Sequence, residues 1–330
     1  NRMSKYGRKN TVLASMAVTV VGMFLPLLVY SSVTCIIAYV LLGVGNAILQ
    51  ISLNPLLNNV ISSPRLLTSS LTAGQVIKAV SSLVGPEIVL FATLHFGDDK
   101  WYYCFPILGT ITLFFALWLT FTPIWREQVE ESKVSFSDSF NLLKNRTILI
   151  LFWGIFFIVG VDVATNYVSS KLMSIRYDWT AEQVKFAPQV YFFSRTVGAL
   201  LGAFLLTRIA GVRYFKVNIL ACILMLVLLI GIQNPAVSLL CIGGVGFFAS
   251  SVFSIIYSMA FQECPTKMNQ ISGLMLTAVA GGGVVTPVIG FAIDNAGITA
   301  GVIVILLCVL YLTYCAFAVR ERKSGEQTAL

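Results

Sequence analysis

Apolar positions in this chain fall in long unbroken runs separated by short polar joints. Ten runs stand out, at roughly 11–29, 33–59, 70–94, 103–121, 147–170, 184–207, 213–231, 235–261, 270–293 and 300–318. Most are near or above the ~20 residues that carry a helix across the hydrocarbon core of a bilayer. The period-two alternation of barrel strands is absent, so the pattern predicts an all-α polytopic membrane protein. Two joints are tight, Tyr30-Ser31-Ser32 and Gln233-Asn234, and joints that short require antiparallel neighbours. The longest hydrophilic stretch, TPIWREQVEESKVSFSDSFNLLKNR, covers 122–146 and divides the runs four and six. The expected organisation is an N-terminal half over 1–121, a linker over 122–146 and a C-terminal half over 147–330. Within the linker Phe136, Phe140 and Leu143 recur at i, i+4 and i+7, which fits either a short helix on the membrane surface or a solvated connection.

Composition agrees with the pattern. The chain is 57% hydrophobic and 11% charged, with a mean hydropathy of +0.87, where a soluble domain carries about 25% charged residues. Sorting the lysines and arginines by the side their joint faces puts 16 on one side and four on the other, with Lys78 and Arg195 left inside runs. The rich side reads as cytoplasmic, which puts both observed termini there and suits a bacterial cytoplasmic (inner) membrane. The formal charge of +8 is then mostly topology, and no nucleic-acid partner is expected. The seven cysteines form no C-x-x-C pair and read as packing residues, with no metal site and no cofactor. No nucleophile–base set, phosphate loop or histidine cluster is visible, and His95 is the single histidine. Enzyme chemistry is not expected.

Sliding the chain by 201 residues lays Gly43-Val44-Gly45 on Gly244-Val245-Gly246, Ala79 on Ala280, Val84 on Val285, Pro86 on Pro287 and Ile88 on Ile289. One offset serving two successive runs predicts two parallel structural repeats. Two runs of the later half have no counterpart after residue 1, so the repeat predicts a 6+6 arrangement of which ten spans of twelve are present.

Ionisable residues inside apolar runs are costly and point to function. Asp162 lies ~22 Å and Arg195 ~20 Å from the cytoplasmic ends of sequential antiparallel spans. Matched depths predict that they pair, either as a structural ion pair or in gating and coupling. Lys78 shares a helix face with Gln75, one turn away. That face is expected to line a central cavity with Gln50 and Asn54, unless Lys78 snorkels to the interface. Glu87, nine residues on from Lys78, fits a proton site or a packing contact. Gln189 adds an amide, and Trp153, Tyr167, Tyr191 and Tyr257 are candidate rings for stacking a sugar. Gly198-x-x-x-Gly202 and the glycine-rich segment 278–290 are expected to let helices approach closely.

Two six-span halves around a cytoplasmic linker resemble the major facilitator superfamily, and NRMSKYGRK resembles its basic loop between the second and third spans. Further patches are similar to the fucose–galactose–glucose:proton symporter group. These are Gln50-Ile51-Ser52-Leu53-Asn54-Pro55, Gly74-Gln75-Val76-Ile77-Lys78, Ser194-Arg195-Thr196-Val197-Gly198 and Thr207-Arg208-Ile209-Ala210. Gln50 stands where the group has a glutamate implicated in proton coupling, and Lys78 replaces a sugar-facing asparagine. The resemblance implies a secondary transporter for a sugar or sugar-like solute, working by alternating access and proton symport, as a monomer in the lipid bilayer. Substrate binding falls to Gln50, Asn54, Gln75, Lys78, Trp153, Gln189 and Tyr191, and coupling or gating to Glu87, Asp162 and Arg195. A carrier of an anionic solute such as a sugar acid, and a non-transporting sensor descended from a carrier, are the alternatives.

Overall fold

The structure, a computed structural model, describes residues 8–61, 63–122 and 136–319. The first seven residues of the basic loop and 123–135 of the linker lie outside them. Among the described residues there are helices and no strand. The α-helices are α1 (Arg8–Leu28), α2 (Ser32–Val60), α3 (Pro64–Phe96), α4 (Cys104–Phe121), α5 (Phe136–Asn141), α6 (Arg146–Tyr177) and α7 (Ala181–Val184). Then follow α8 (Phe186–Leu205), α9 (Gly211–Gly231), α10 (Pro235–Ala249), α11 (Val252–Glu263), α12 (Met268–Ala278), α13 (Gly281–Ala296) and α14 (Ile298–Ala318).

Among the described residues, nine segments are long and apolar enough to cross a membrane. The tenth predicted span, α8, is not one of them, because Pro188, Gln189, Ser194 and Arg195 dilute its apolar residues. Polar side chains set several helix starts. Asn145 accepts from the backbone N–H groups of Thr147 and Ile148, and Asn234 from those of Ala236 and Val237, so each caps the helix that follows. Two runs that read as single spans are each divided, α10 from α11 at Ser250-Ser251 and α12 from α13 at Val279-Ala280. Ser250 donates to the Phe247 carbonyl at 2.7 Å and Thr277 to the Leu274 carbonyl at 2.6 Å. Such i−3 back-bonds compete with the helical ladder.

The chain forms two compact units, Asn1–Val60 with Val84–Phe136, and Ile61–Leu83 with Ser137–Leu330. In the first, α1 packs on α2 and α4. The Lys9 Nζ donates to the Thr120 carbonyl at 2.9 Å and the Thr122 carbonyl at 2.7 Å. It therefore neutralises carbonyls left unpaired at the C-terminus of α4 and places the start of α1 beside the end of α4, as the side assignment requires. Lys9→Met should lower the unfolding midpoint measurably, at a cost of ~1 kcal/mol for a partly exposed charged hydrogen bond. Thermal unfolding in detergent, compared with Lys144→Met, checks this.

In the second unit α6 is the central element and packs on α8, α10, α11, α13 and α14. Polar contacts pin both its ends. Asn145 Nδ2 donates to Glu263 at 3.2 Å at one end. At the other, Arg176 donates to the Leu229 carbonyl at 2.8 Å and to Thr299 at 3.2 Å. The first half of α3 belongs to this unit: Thr68 Oγ1 donates to Ser258 Oγ at 2.6 Å and Ser69 to the Ala203 carbonyl at 2.5 Å. In the linker a short helix, α5, is followed by a 3-10 turn at Leu142–Lys144, where Leu142 is buried while Phe140 is exposed.

Candidate functional site

Asp162 sits midway along α6 and Arg195 midway along α8, two helices that pack together in the second unit. Arg195 Nη2 lies 2.9 Å from Asp162 Oδ2. The other carboxylate oxygen, Oδ1, accepts from the Tyr191 hydroxyl at 2.6 Å. Tyr191 is one turn before Arg195 on α8, so both donors leave the same face and take one oxygen each. Tyr191 is fully buried and Arg195 is 9% exposed, whereas the Asp162 side chain keeps 25%. The guanidinium is buried while the carboxylate it holds keeps part of its surface open.

Glycines set how closely these helices approach. A Cβ on Gly198 would fall on the backbone of Phe247 in α10, and one on Gly246 would lie 2.7 Å from the Tyr191 carbonyl. A Cβ on Gly281 of α13 would fall on the Phe156 carbonyl in α6. Helices therefore approach closely at Gly198, Gly202 and Gly281, while the Cβ positions of Gly283 and Gly290 are open.

Lys78 is exposed, in the part of α3 that belongs to the second unit. Helix α3 starts at Pro64, earlier than the apolar run at 70–94 indicates, so Lys78 stands ~21 Å along it. Gln75, half-buried, is on the same face one turn earlier. Gln50 and Asn54 lie on α2 in the first unit, where Gln50 Nε2 donates to Asn46 Oδ1 at 3.2 Å. Glu87 is exposed in the part of α3 that belongs to the first unit.

The candidate aromatic platforms separate. The Tyr257 hydroxyl is buried against Ser272 Oγ at 2.7 Å, and Tyr167 carries Lys171 over its ring at 5.0 Å. Trp153 is 40% exposed and meets Phe156 edge-on at 5.0 Å between centroids. Gln189 is exposed, two residues from Tyr191 and hence on another side of α8. What the pattern of the sequence missed is the hydroxyl of Tyr191 as a partner of Asp162. The available signal was its i, i+4 spacing from Arg195.

The 201-residue offset adds a relation between the halves. The breaks at Ser251 and Val279 fall on Gln50 and Lys78, where α2 and α3 run unbroken. The first half presents polar side chains at the positions where the second interrupts its helices.

Known proteins share this architecture. A relative from Helicobacter pylori, whose name proposes glucose/galactose transport, is 25% identical across 99% of this chain and 84% of its own length. The glucose/galactose transporter of Brucella abortus is 23% identical across 93% of this chain and 77% of its own. Among solved structures, the Escherichia coli fucose:proton symporter FucP superposes with a TM-score of 0.82 at 18% identity, covering 97% of this chain and 86% of that one. The human organic anion transporter MFSD10 superposes at 0.73 and 16% identity, covering 94% and 77%. The likeness to these structures is one of fold. The model of the Major Facilitator Superfamily matches residues 2–287, and the chain is a polytopic all-α member of that superfamily of membrane transporters.

Proposed function

We propose that this protein is a secondary active transporter that moves a sugar or sugar-like solute across the cytoplasmic membrane by alternating access, with a proton as the co-transported ion. It works as a monomer in the bilayer, with both observed termini cytoplasmic and without enzymatic chemistry of its own. The halves 1–121 and 147–330 are its two moving bodies. The observation that carries the reading is the Asp162 carboxylate held by Arg195 and Tyr191 in the middle of two apolar helices. The names of the sugar-transporting relatives and of the fucose:proton symporter support the solute class and the coupling ion.

Gln50 supplies no titratable group, and of the candidate carboxylates Asp162 and Glu87 the reading favours Asp162, which is the one held by a buried arginine and a tyrosine. Both its oxygens are engaged, by Arg195 and by Tyr191, so a movement of α8 that withdraws the two donors changes the partners of the carboxylate and links it to the conformation of the carrier. The solute-binding candidates are Gln75, Lys78, Trp153, Gln189 and Tyr191, with Gln50 and Asn54 as further candidates, each weighed on its own unit.

Counterflow in proteoliposomes tests the carrier: saturable exchange of a labelled hexose or hexose derivative is expected, and no exchange with any of them would refute it. Asp162→Asn tests the coupling. It should retain exchange at equal pH on both sides while losing accumulation driven by an inward proton gradient, by tenfold or more, on the order of 1.4 kcal/mol of linkage. Undiminished gradient-driven accumulation would place coupling elsewhere.

A further inference from the structure

Away from the charged pair, the second unit carries two stripes of exposed apolar side chains. On α9, Val217, Leu220 and Leu224 are exposed at i, i+3 and i+7. On α14, Leu310, Tyr314 and Phe317 are exposed at i, i+4 and i+7. Both helices are long and apolar enough to cross a membrane, and they pack on each other. Each stripe is therefore a face turned to acyl chains, and the two run beside one seam.

The stripes end level with each other. Helix α9 begins at Gly211 where α14 finishes at Ala318, and the Lys216 Nζ lies over the Phe317 ring, 4.7 Å from its centroid. Arg213 is exposed and heads the α9 stripe, one turn before both Lys216 and Val217. Side chains on a helix lean toward its N-terminus, so Arg213 and Lys216 both lean toward the membrane surface, the cytoplasmic one in the topology proposed above. Among the described residues neither cation has a carboxylate at ion-pair distance, and the first turn of α9 contains no acidic residue. Two unmatched cations thus stand at headgroup level, at the head of a seam that faces lipid.

We propose that the seam between α9 and α14 binds an anionic glycerophospholipid of the cytoplasmic leaflet, with its phosphate between Arg213 and Lys216 and an acyl chain along the exposed stripes. Charge and shape agree on this occupant. The guanidinium offers a fork of N–H donors to two phosphate oxygens, and the ammonium acts as a point charge beside it. Phe317 steadies the ammonium by cation–π attraction. A soluble anion would match the charges and leave the stripes uncovered. A zwitterionic lipid would cover the stripes and bring its own cation against the basic pair. The proposal does not depend on which solute the carrier moves.

The experiment is native mass spectrometry and thermal unfolding of the purified full chain in detergent. The additions are phosphatidylglycerol, phosphatidylcholine with the same acyl chains, or inorganic phosphate. Phosphatidylglycerol is expected to stay bound and to raise the unfolding midpoint, and the other two to do so far less. Arg213→Gln and Lys216→Gln should each weaken phosphatidylglycerol binding about fivefold, and the double variant about 30-fold, the attraction of one basic residue to an anionic headgroup counted once and twice. Lys144→Gln combined with Lys267→Gln removes as much charge elsewhere on the same side and should change the affinity by less than about twofold. Equal binding of phosphatidylcholine would mean a chain contact without headgroup recognition, and equal stabilisation by phosphate would mean a soluble anion; either result overturns the proposal. An equal loss in the Lys144 and Lys267 double variant also overturns it, because bulk charge would then account for the binding. Each variant must elute and unfold as the wild type does without added lipid, and where the Arg213 and Lys216 double variant does not, the two single variants carry the comparison. No transport is measured, so the result stands apart from the carrier reading.

Discussion

Arg195→Leu should lower the stability of the purified protein by about 3 kcal/mol and abolish gradient-driven transport. The estimate is the low end of what removing one partner from a buried ion pair costs, taken because the Asp162 side chain keeps 25% of its exposure. The variant leaves Asp162 with the Tyr191 hydroxyl as its remaining donor. Asp162→Asn combined with Arg195→Leu removes both charges, and the double variant should unfold closer to the wild type than Arg195→Leu does. A double-mutant cycle of unfolding midpoints measures this directly. Additive single effects would mean that the two groups do not act on each other.

That pair shows what a sequence of this kind reveals. Asp162 and Arg195 were legible because burying a charge in hydrocarbon is so unfavourable that a lone one announces a partner. Counting residues from the cytoplasmic ends of two antiparallel runs then gives their depths. The helices were legible for the same reason, since the bilayer imposes length and polarity on each. Interruptions within a run were not. Ser250-Ser251 and Val279-Ala280 lie in sequences whose average polarity hardly changes, and the breaks depend on back-bonding hydroxyls and on neighbours distant in sequence. The ring of Tyr191 dominates its surface and sets the sequence pattern, whereas its hydroxyl decides its partner. The allegiance of Thr68 and Ser69 to the second unit rests on contacts to Ser258 and Ala203 more than a hundred residues away, and no local pattern encodes these.

Gly281→Ala should be among the most damaging single-methyl changes in the protein, while Gly283→Ala, two residues along the same helix, should be harmless. Both sit in the first turn of α13. Ala is the better helix former by ~1 kcal/mol, so propensity favours both substitutions. The surroundings reverse the sign at one of them. A Cβ on Gly281 would collide with the Phe156 carbonyl oxygen and lie 2.7 Å from its carbon and 2.9 Å from its Cα. These are backbone atoms of α6, with no rotamer to turn aside, so the two helices must separate. Nothing lies within 4 Å of the corresponding position at Gly283. Overpacking of this kind costs ~1–3 kcal/mol, with the upper end expected when backbone has to move. The consequence for transport should exceed the consequence for stability, because Phe156 is six residues from Asp162 on α6. Moving that helix outward draws the carboxylate from Arg195 and Tyr191, whose 2.9 Å and 2.6 Å contacts leave no slack. Exchange assays on the two variants, read beside their unfolding midpoints, should show Gly281→Ala inactive and destabilised and Gly283→Ala equal to the wild type. If Gly281→Ala exchanged solute at the wild-type rate, the close contact of α6 and α13 would not be what holds the charged pair in place.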